Sequence, residues 1–398
     1  MPRDAYLSIV QDALERRMEL VRLQQGKEVT AGPPSTAQAA DGTSLALGDQ
    51  LFDRFGPDDW GWITTAVEET LTTLDGGTHP FGTEPAQIAL APRARLVLLA
   101  DWGTGTPRAR RIAELAGERL DQVPDIERHI IHLGDVYYCG LPEEYRTRFL
   151  NDWPAAQGER ITSWNLNGNH DMYSGGNGYF EVISSPSFAQ QRGTSCFRLL
   201  NEHWQFIALD TAYADNDLHQ QQLPWVSSWV LRDGAATPTG PPPRKTILLS
   251  HHQLGSALAQ PSVGPGIREK TAALRKDGRV HAWFWGHEHR AFIYEPYLDV
   301  ACPVCLGNGG IPELLSHELT LESAFGWVTG MISKLLAKLR GSVSPPVILY
   351  QPPQPDVDAN GLKWEKLGFV VVDIDGALGS ATYVDEDGME TPIDAFGR

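Results

Sequence analysis

Apolar runs of five to seven residues, each closed by a polar or glycine-rich break, dominate the middle of this chain. Ala94–Ala100, His129–Leu133, Ile161–Leu166, Lys245–Ser250 and Val280–Trp285 have this form and read as buried strands. Between the first two lies Thr106-Pro107, a good N-cap followed by a good first helical residue. Residues 107–120 then carry Ile112, Leu115, Ala116 and Leu120 on one helical face. Strand, loop, helix and strand make a βαβ unit, so the fold class is α/β. Further helices are expected at Pro142–Leu150 and Pro224–Leu231, and further strands at Cys196–Leu200, Trp204–Leu209 and Cys302–Leu306. Gly368–Ile374 and Ser380–Val384 read as a strand pair turning at Asp375-Gly376. The segment 172–180, rich in Gly, Tyr and Asn, reads as a long active-site loop.

The flanks have a different pattern. Residues 4–23 place Leu7, Val10, Leu14, Met18 and Val21 at helical spacing, and a second helix is expected near 58–74. Residues 29–47 between them read as a linker. Phe325, Val328, Met331, Leu335, Leu336 and Leu339 predict an amphipathic helix within 318–340, with a Pro-rich stretch after it. Four parts follow: an N-terminal helical extension over 1–93, a core over 94–315, a helical and Pro-rich insertion over 316–362, and closing strands over 363–398.

Composition narrows the function classes. The chain has 398 residues with 41% hydrophobic and 21% charged positions, ordinary for a globular protein with a sizeable core. A net charge of -17 argues against a nucleic-acid partner, which needs a basic face. It also repels phosphate substrates, so a phosphate site has to invert the field locally, as bound metal ions do. Four cysteines are too few for a disulfide framework; Cys302-x-x-Cys305 has no second pair and reads as structural. No signal-like apolar segment opens the chain and no window is long enough for a membrane span, so a cytoplasmic location is expected.

Five strand ends carry metal-type ligands: Asp101; Asp135 with Tyr138; Asn169 with His170; His251; and His287 with His289. Their lead residues are separated by 34, 34, 82 and 36 positions. One βα unit is about that long, so the segments can converge on one sheet edge. Gly134 ends its strand and lets the backbone turn tightly before Asp135, whose two oxygens suit it to bridge two cations. His287 and His289, alternating about Glu288 in an extended strand end, would point to one side. A phenol with a pKa of about 10 is cheaply deprotonated only by a strongly Lewis-acidic ion, so Tyr138 favours Fe(III). His251 and His252 compete for one ligand position; register favours His251, leaving His252 as a support or a substrate contact. Trp102 is expected to pack, Asp210 to cap a turn, and His132 and His203 to have no tie to the site.

In that order, Asp101-Trp102-Gly103, Gly134-Asp135-x-x-Tyr138, Gly168-Asn169-His170-Asp171, His251 and Gly286-His287-x-His289 resemble the calcineurin-like metallophosphoesterase superfamily, and its purple acid phosphatase branch in particular. The resemblance implies a four-layer α/β/β/α sandwich. It implies Asp101, Asp135, Tyr138 and His289 around Fe(III), and Asp135, Asn169, His251 and His287 around a divalent Fe, Zn or Mn. Two divalent ions are the other option. It further implies hydrolysis of a phosphate monoester by a metal-held hydroxide. His170 would contact the phosphate or protonate the leaving oxygen, and Asp171 would orient its imidazole. The partner is then a small phosphorylated substrate. The alternatives are a phosphodiesterase acting on a nucleotide or similar metabolite, and a non-catalytic binding module on the same fold.

Overall fold

In the computed structural model the described residues are 77–397, apart from 83, 156–160, 220, 233–242, 259–264, 314–344, 352–355 and 358–362. The helices expected at 4–23, 58–74 and 318–340, and the 29–47 linker, lie outside them.

Two sheets form the centre. In chain order the strands are β1 (Ala86–Ala89), β2 (Arg93–Leu99), β3 (Glu127–His132), β4 (Ile161–Asn165), β5 (Phe197–Leu200), β6 (Trp204–Leu209), β7 (Lys245–Ser250), β8 (Val280–Trp285), β9 (Ala291–Tyr294), β10 (Val300–Leu306), β11 (Ile348–Tyr350), β12 (Asp356–Val357), β13 (Lys363–Trp364), β14 (Gly368–Asp375), β15 (Leu378–Asp385) and β16 (Glu390–Pro392). One sheet runs β1-β5-β6-β7-β8-β10-β9-β11 and the other β16-β15-β14-β2-β3-β4; β12 and β13 form a small separate pair. Each contains a parallel run: β2 with β3 and β4, ending at one edge of its sheet, and β6 with β7, β8 and β10 in the middle of the other.

Side-chain alternation sorts these strands into layers. Leu96 and Leu98 of β2 meet Ile247 and Leu249 of β7 and Ala282 and Phe284 of β8 between the sheets. The intervening residues face outward. Val97 and Leu99 pack under α1 (Pro107–Asp121), with Ile112, Leu115, Ala116 and Leu120 against them. Leu248, Trp283 and Trp285 pack under α4 (Gln222–Ser227) and α5 (Pro265–Arg275), through Val226, Ile267 and Leu274. The central strands are therefore buried on both faces, which is why apolar residues such as Leu96–Leu99, Ile130-Ile131, Ile247–Leu249 and Ala282–Trp285 follow one another without alternation. The result is a four-layer α/β/β/α sandwich. Thr106 caps α1 by accepting from the Ala109 N–H at 3.2 Å, ahead of Pro107.

The sheets extend past both ends of the 94–315 stretch. β1 pairs with β5 and buries Ala86, and β11 pairs with β9. Strands this short carry too few apolar positions to stand out in a sequence pattern. The 172–180 segment also differs from the expected loop. It holds the end of α2 (Asn169–Tyr173) and most of α3 (Asn177–Ile183), broken by Gly175 and Gly176 at φ 76° and 77°. Tyr179 is fully buried in the outer core, where its hydroxyl donates to the Asn165 carbonyl at 3.0 Å, so it does not line the mouth. Cys302 and Cys305, three apart on β10, fall on opposite faces and stay buried free thiols.

The carboxyl ends of the parallel strands meet at one seam. There Gly168 lies so close to Asp135 that a Cβ would sit 2.0 Å from Asp135 Oδ1. Gly168→Ala should cost roughly 1–3 kcal/mol through overpacking, read as a lower melting temperature. An unchanged melt would mean that the Asp135 turn is free to yield.

Candidate metal centre

The expected ligands leave strand ends of both sheets: Asp101 after β2, Asp135 and Tyr138 after β3, Asn169 and His170 after β4, His251 at the end of β7, and His287 and His289 after β8. Backbone and side-chain bonds tie these ends together. The Asp101 N–H donates to the Gly134 carbonyl at 2.9 Å and the Gly286 N–H to the His251 carbonyl at 3.0 Å. His251 Nδ1 donates across the two sheets to the Leu133 carbonyl at 3.0 Å. Gly134 is held at φ 100°, and a Cβ there would lie 2.8 Å from that same His251 ring, so both the turn and the close approach require glycine.

Each carboxylate spends one oxygen on a backbone donor. Asp101 Oδ2 accepts from the His287 N–H and Asp135 Oδ1 from the His170 N–H, both at 2.9 Å. The other two oxygens, Asp101 Oδ1 and Asp135 Oδ2, are buried and accept no hydrogen bond. Around them stand ring nitrogens: His251 Nε2 is 3.2 Å from Asp135 Oδ2, and His289 Nε2 is 3.5 Å from Asp101 Oδ1. Asn169 turns its Oδ1 to within 3.0 Å of His251 Nε2, while its amide nitrogen donates to the Tyr173 hydroxyl at 2.8 Å. One ligand atom each from Asp101, Asp135 and His251 lies within 4.8 Å of the others, and the same holds for His251, His252 and His287. With Nδ1 of His251 committed to Leu133, its Nε2 lone pair, an amide oxygen and a carboxylate oxygen converge on one point. Buried acceptors that face one another fit a cation.

The electrostatics agree. Burial works against a charge on Asp135, yet His251 and His170 hold its carboxyl well below the usual range. Burial also lowers His251, but Asp135 outweighs it and pushes the imidazole up to about 9. Burial lowers His289 too, and Asp101 with Glu313 raises it to about 10. His287 and His252 go well below the usual value, through burial and then through their histidine neighbours.

Four of the expected ligands, Asp101, Asp135, His287 and His289, have positive φ of 53°, 67°, 70° and 50°. Left-handed backbone at a non-glycine residue is costly and persists only where surrounding bonds impose it. This corrects the expectation for His287 and His289: β8 ends at Trp285, and the two histidines sit on a tight turn, because the Asp101 carboxylate captures the His287 N–H.

Asp171 also departs from its expected role. His170 donates Nδ1 to the Tyr138 carbonyl at 2.8 Å, so a backbone oxygen orients the ring. Asp171 Oδ2 accepts from the N–H groups of Asp135 and Gly168 at 3.0 and 2.7 Å, and Oδ1 from the Val136 N–H and the Tyr145 hydroxyl at 3.2 and 2.9 Å. Burial and the nearby Asp135 charge push Asp171 up to about 7, against the pull of the Gly168, Tyr145 and Asp135 donors. Asp171 thus braces the Asp135 turn. Tyr138 is fully buried beside Ile311, whose N–H donates to the Asp101 carbonyl at 3.0 Å. His252 is fixed by Thr211, its backbone N–H and Nδ1 lying 3.0 and 3.1 Å from Thr211 Oγ1. Trp102 packs against Phe149 and Trp153. Asp210 accepts from the Ala212 and Tyr213 N–H groups and caps that turn.

Three supporting residues escaped the sequence reading. His132 Nε2 accepts from the Trp102 N–H at 3.3 Å and its Nδ1 donates to Asn165 Oδ1 at 2.8 Å. Burial pushes His132 down to about 4, which keeps the neutral ring that this pattern needs. Asn165 Nδ2 donates to the Tyr145 hydroxyl at 3.3 Å, and that hydroxyl donates to Asp171. The one available signal was a histidine at the end of an apolar strand, two residues before Gly134.

Residues 94–291 match the calcineurin-like phosphoesterase family, and through that domain the chain belongs to the calcineurin-like metallophosphoesterase superfamily. Solved structures similar to it include a purple acid phosphatase from yellow lupin (Lupinus luteus) seeds. That match has 15% identity and a TM-score of 0.48, and covers 75% of this chain and 53% of the lupin chain. The chain thus spans about half the length of the lupin protein. The anchor of the inner membrane complex of Plasmodium matches at 12% identity and TM-score 0.49, covering 76% of this chain and 88% of the other. A predicted phosphoesterase of Streptococcus pneumoniae matches at 10% identity and TM-score 0.28, with 75% and 98% covered. Comparison with curated proteins gave no match. Among the described residues no helix is long and apolar enough to cross a membrane.

Tyr145→Phe should cost about 1–3 kcal/mol, because it strands the Asn165 amide and removes a donor from Asp171. Urea unfolding measures this. Native stability in Tyr145→Phe would mean that the backbone donors alone hold Asp171.

Proposed function

We propose that this protein is a binuclear metal-dependent phosphoesterase acting on small phosphate monoesters. The observation that carries this reading is the pair of buried carboxylate oxygens, Asp101 Oδ1 and Asp135 Oδ2, each facing an imidazole nitrogen and accepting no hydrogen bond. Asp101, Asp135, Tyr138 and His289 would hold one ion, and Asp135, Asn169, His251 and His287 the other. With Tyr138 in the set, Fe(III) paired with divalent Fe, Zn or Mn is favoured. Ions bound there supply positive charge for the phosphoryl oxygens and a water acidic enough to attack near neutral pH.

The chain's own residues do the rest. Asp135 would serve both ions, and the Asp171 clamp holds its turn. His251 stays in one orientation because Nδ1 is bound to Leu133. His170 is held by Nδ1 on the Tyr138 carbonyl, with Nε2 3.8 Å from Asp135 Oδ2. Nε2 is then the nitrogen that would meet a phosphate or a leaving oxygen. His252, also at the site, would contact substrate. The chain's net charge of -17 is then offset at the one point where an anion binds.

Asp135→Asn should abolish hydrolysis of p-nitrophenyl phosphate. The loss should exceed the roughly 10–100-fold seen when an outer partner of a metal ligand is removed, and bound metal should fall with it. Turnover and metal retained in that variant would sink the bridging role. His170→Ala should lower turnover sharply at unchanged metal content, and loss of metal there would make His170 a ligand. A purified iron-loaded sample should absorb in the visible through Tyr138, and Tyr138→Phe should lose the band. A colourless iron-loaded protein would discard the ferric assignment.

A further inference from the structure

We infer that Glu313 is a positioning residue for the metal centre: its carboxylate holds His289 with Nε2 turned toward Asp101. The inference rests on the metal-centre reading above. His289 has a partner at each ring nitrogen. Nε2 lies 3.5 Å from Asp101 Oδ1, and Nδ1 lies 3.5 Å from Glu313 Oε2. An imidazole that binds a metal through one nitrogen needs an acceptor on the other to fix its tautomer and its plane. His251 has the Leu133 carbonyl and His170 the Tyr138 carbonyl for that purpose. For His289 the acceptor is a carboxylate, which also raises the basicity of the ring.

Glu313 is set in place by the fold. After β10 the chain turns back along the end of β2: the Gly309 and Ile311 N–H groups donate to the Ala100 and Asp101 carbonyls, both at 3.0 Å. The Glu313 carbonyl then accepts from the Glu365 N–H at 2.9 Å. Its second carboxylate oxygen lies 3.9 Å from Arg290 Nη2, and Arg290 Nε lies 4.0 Å from Glu365 Oε2. Arg290 and Glu365 are both buried. The sequence Asp101, His289, Glu313, Arg290, Glu365 alternates in charge and runs from the centre to the segment that leads into β14. Glu313 lies beyond the matched 94–291 domain, so the centre draws on a residue outside it.

The test is titration of the full-length, metal-stripped chain with Mn²⁺ alone, followed by calorimetry, in the unmodified protein and in Glu313→Ala, Glu313→Leu and Glu313→Gln. The unmodified protein should take two ions. Ala and Leu, which remove the acceptor, should weaken one ion about 10–100-fold and leave the other within a few-fold. Gln keeps an acceptor oxygen and should restore binding to within a few-fold of the unmodified protein. Melting of the metal-free variants should match the unmodified chain. Native affinity for both ions in Ala and Leu would overturn the inference, as would equal weakening of both ions or a Gln variant as weak as Ala. An unmodified chain that takes no Mn²⁺ would instead overturn the metal-centre reading, and this inference with it, before any substitution is made.

Discussion

Two carboxylates buried side by side are the constraint on which this structure depends. Removing a charge from water costs several kcal/mol even after relaxation, and neighbouring like charges add to that. Asp101 and Asp135 are 0% and 1% exposed, so the fold must supply their compensation. It supplies one backbone N–H to each and imidazoles to the oxygens left over. For Asp101 the backbone donor crosses between the sheets: His287 follows β8 of one sheet and serves Asp101, which follows β2 of the other. For Asp135 the backbone donor, His170, follows β4 of the same sheet, and it is the His251 imidazole at the end of β7 that crosses. The seam between the sheets is thus an electrostatic joint as well as a packing surface.

The same constraint explains the backbone strain. A strand that simply ran on would carry its ligand past the seam. Turning Asp101, Asp135, His287 and His289 into the left-handed region points their side chains back into it. Each such residue costs of order 1–3 kcal/mol. The bonds that hold these turns, including the four donors on Asp171, are buried and so are not traded against water. A rigid, strained rim on rigid strands is what a ligand set needs if its geometry is not to relax before an ion arrives.

Much of this was legible because the physics that makes these strands also marks them. A parallel strand covered on both faces is enriched in apolar residues on both, so β2, β7 and β8 and the Ile130-Ile131 centre of β3 announce themselves, and the polar residue after each stands out. The order Asp101, Asp135, Asn169, His251, His287 could therefore be read as one edge before any distance was known. What failed to show has physical reasons too. β1 and β11 are three or four residues long and present too few inward side chains to make a pattern. The helix α3 hides behind Gly175 and Gly176, whose abundance of turn signal outweighs Phe180, Val182 and Ile183. Tertiary partners were the least legible. Nothing in sequence says that Asp171 would bond the backbone of Asp135 and not the ring beside it, since both lie within its reach.

That last point bears on how the site works as a unit. A His–Asp pair acting on the leaving group would need the Asp171 carboxylate on the His170 ring, and the ring's inner nitrogen is already taken by the Tyr138 carbonyl. Because Tyr138 and Asp135 lie on one turn, the same short segment carries the candidate bridging carboxylate, the candidate phenol ligand and the acceptor that aims His170. Asp171 clamps that segment from one side, and the chain of Tyr145, Asn165 and His132 backs the clamp as far as the Trp102 N–H beside Asp101. The two carboxylates are therefore linked twice, once through the centre they face and once through buried neutral groups behind it. That rear path ends on the Trp102 N–H, directly after Asp101.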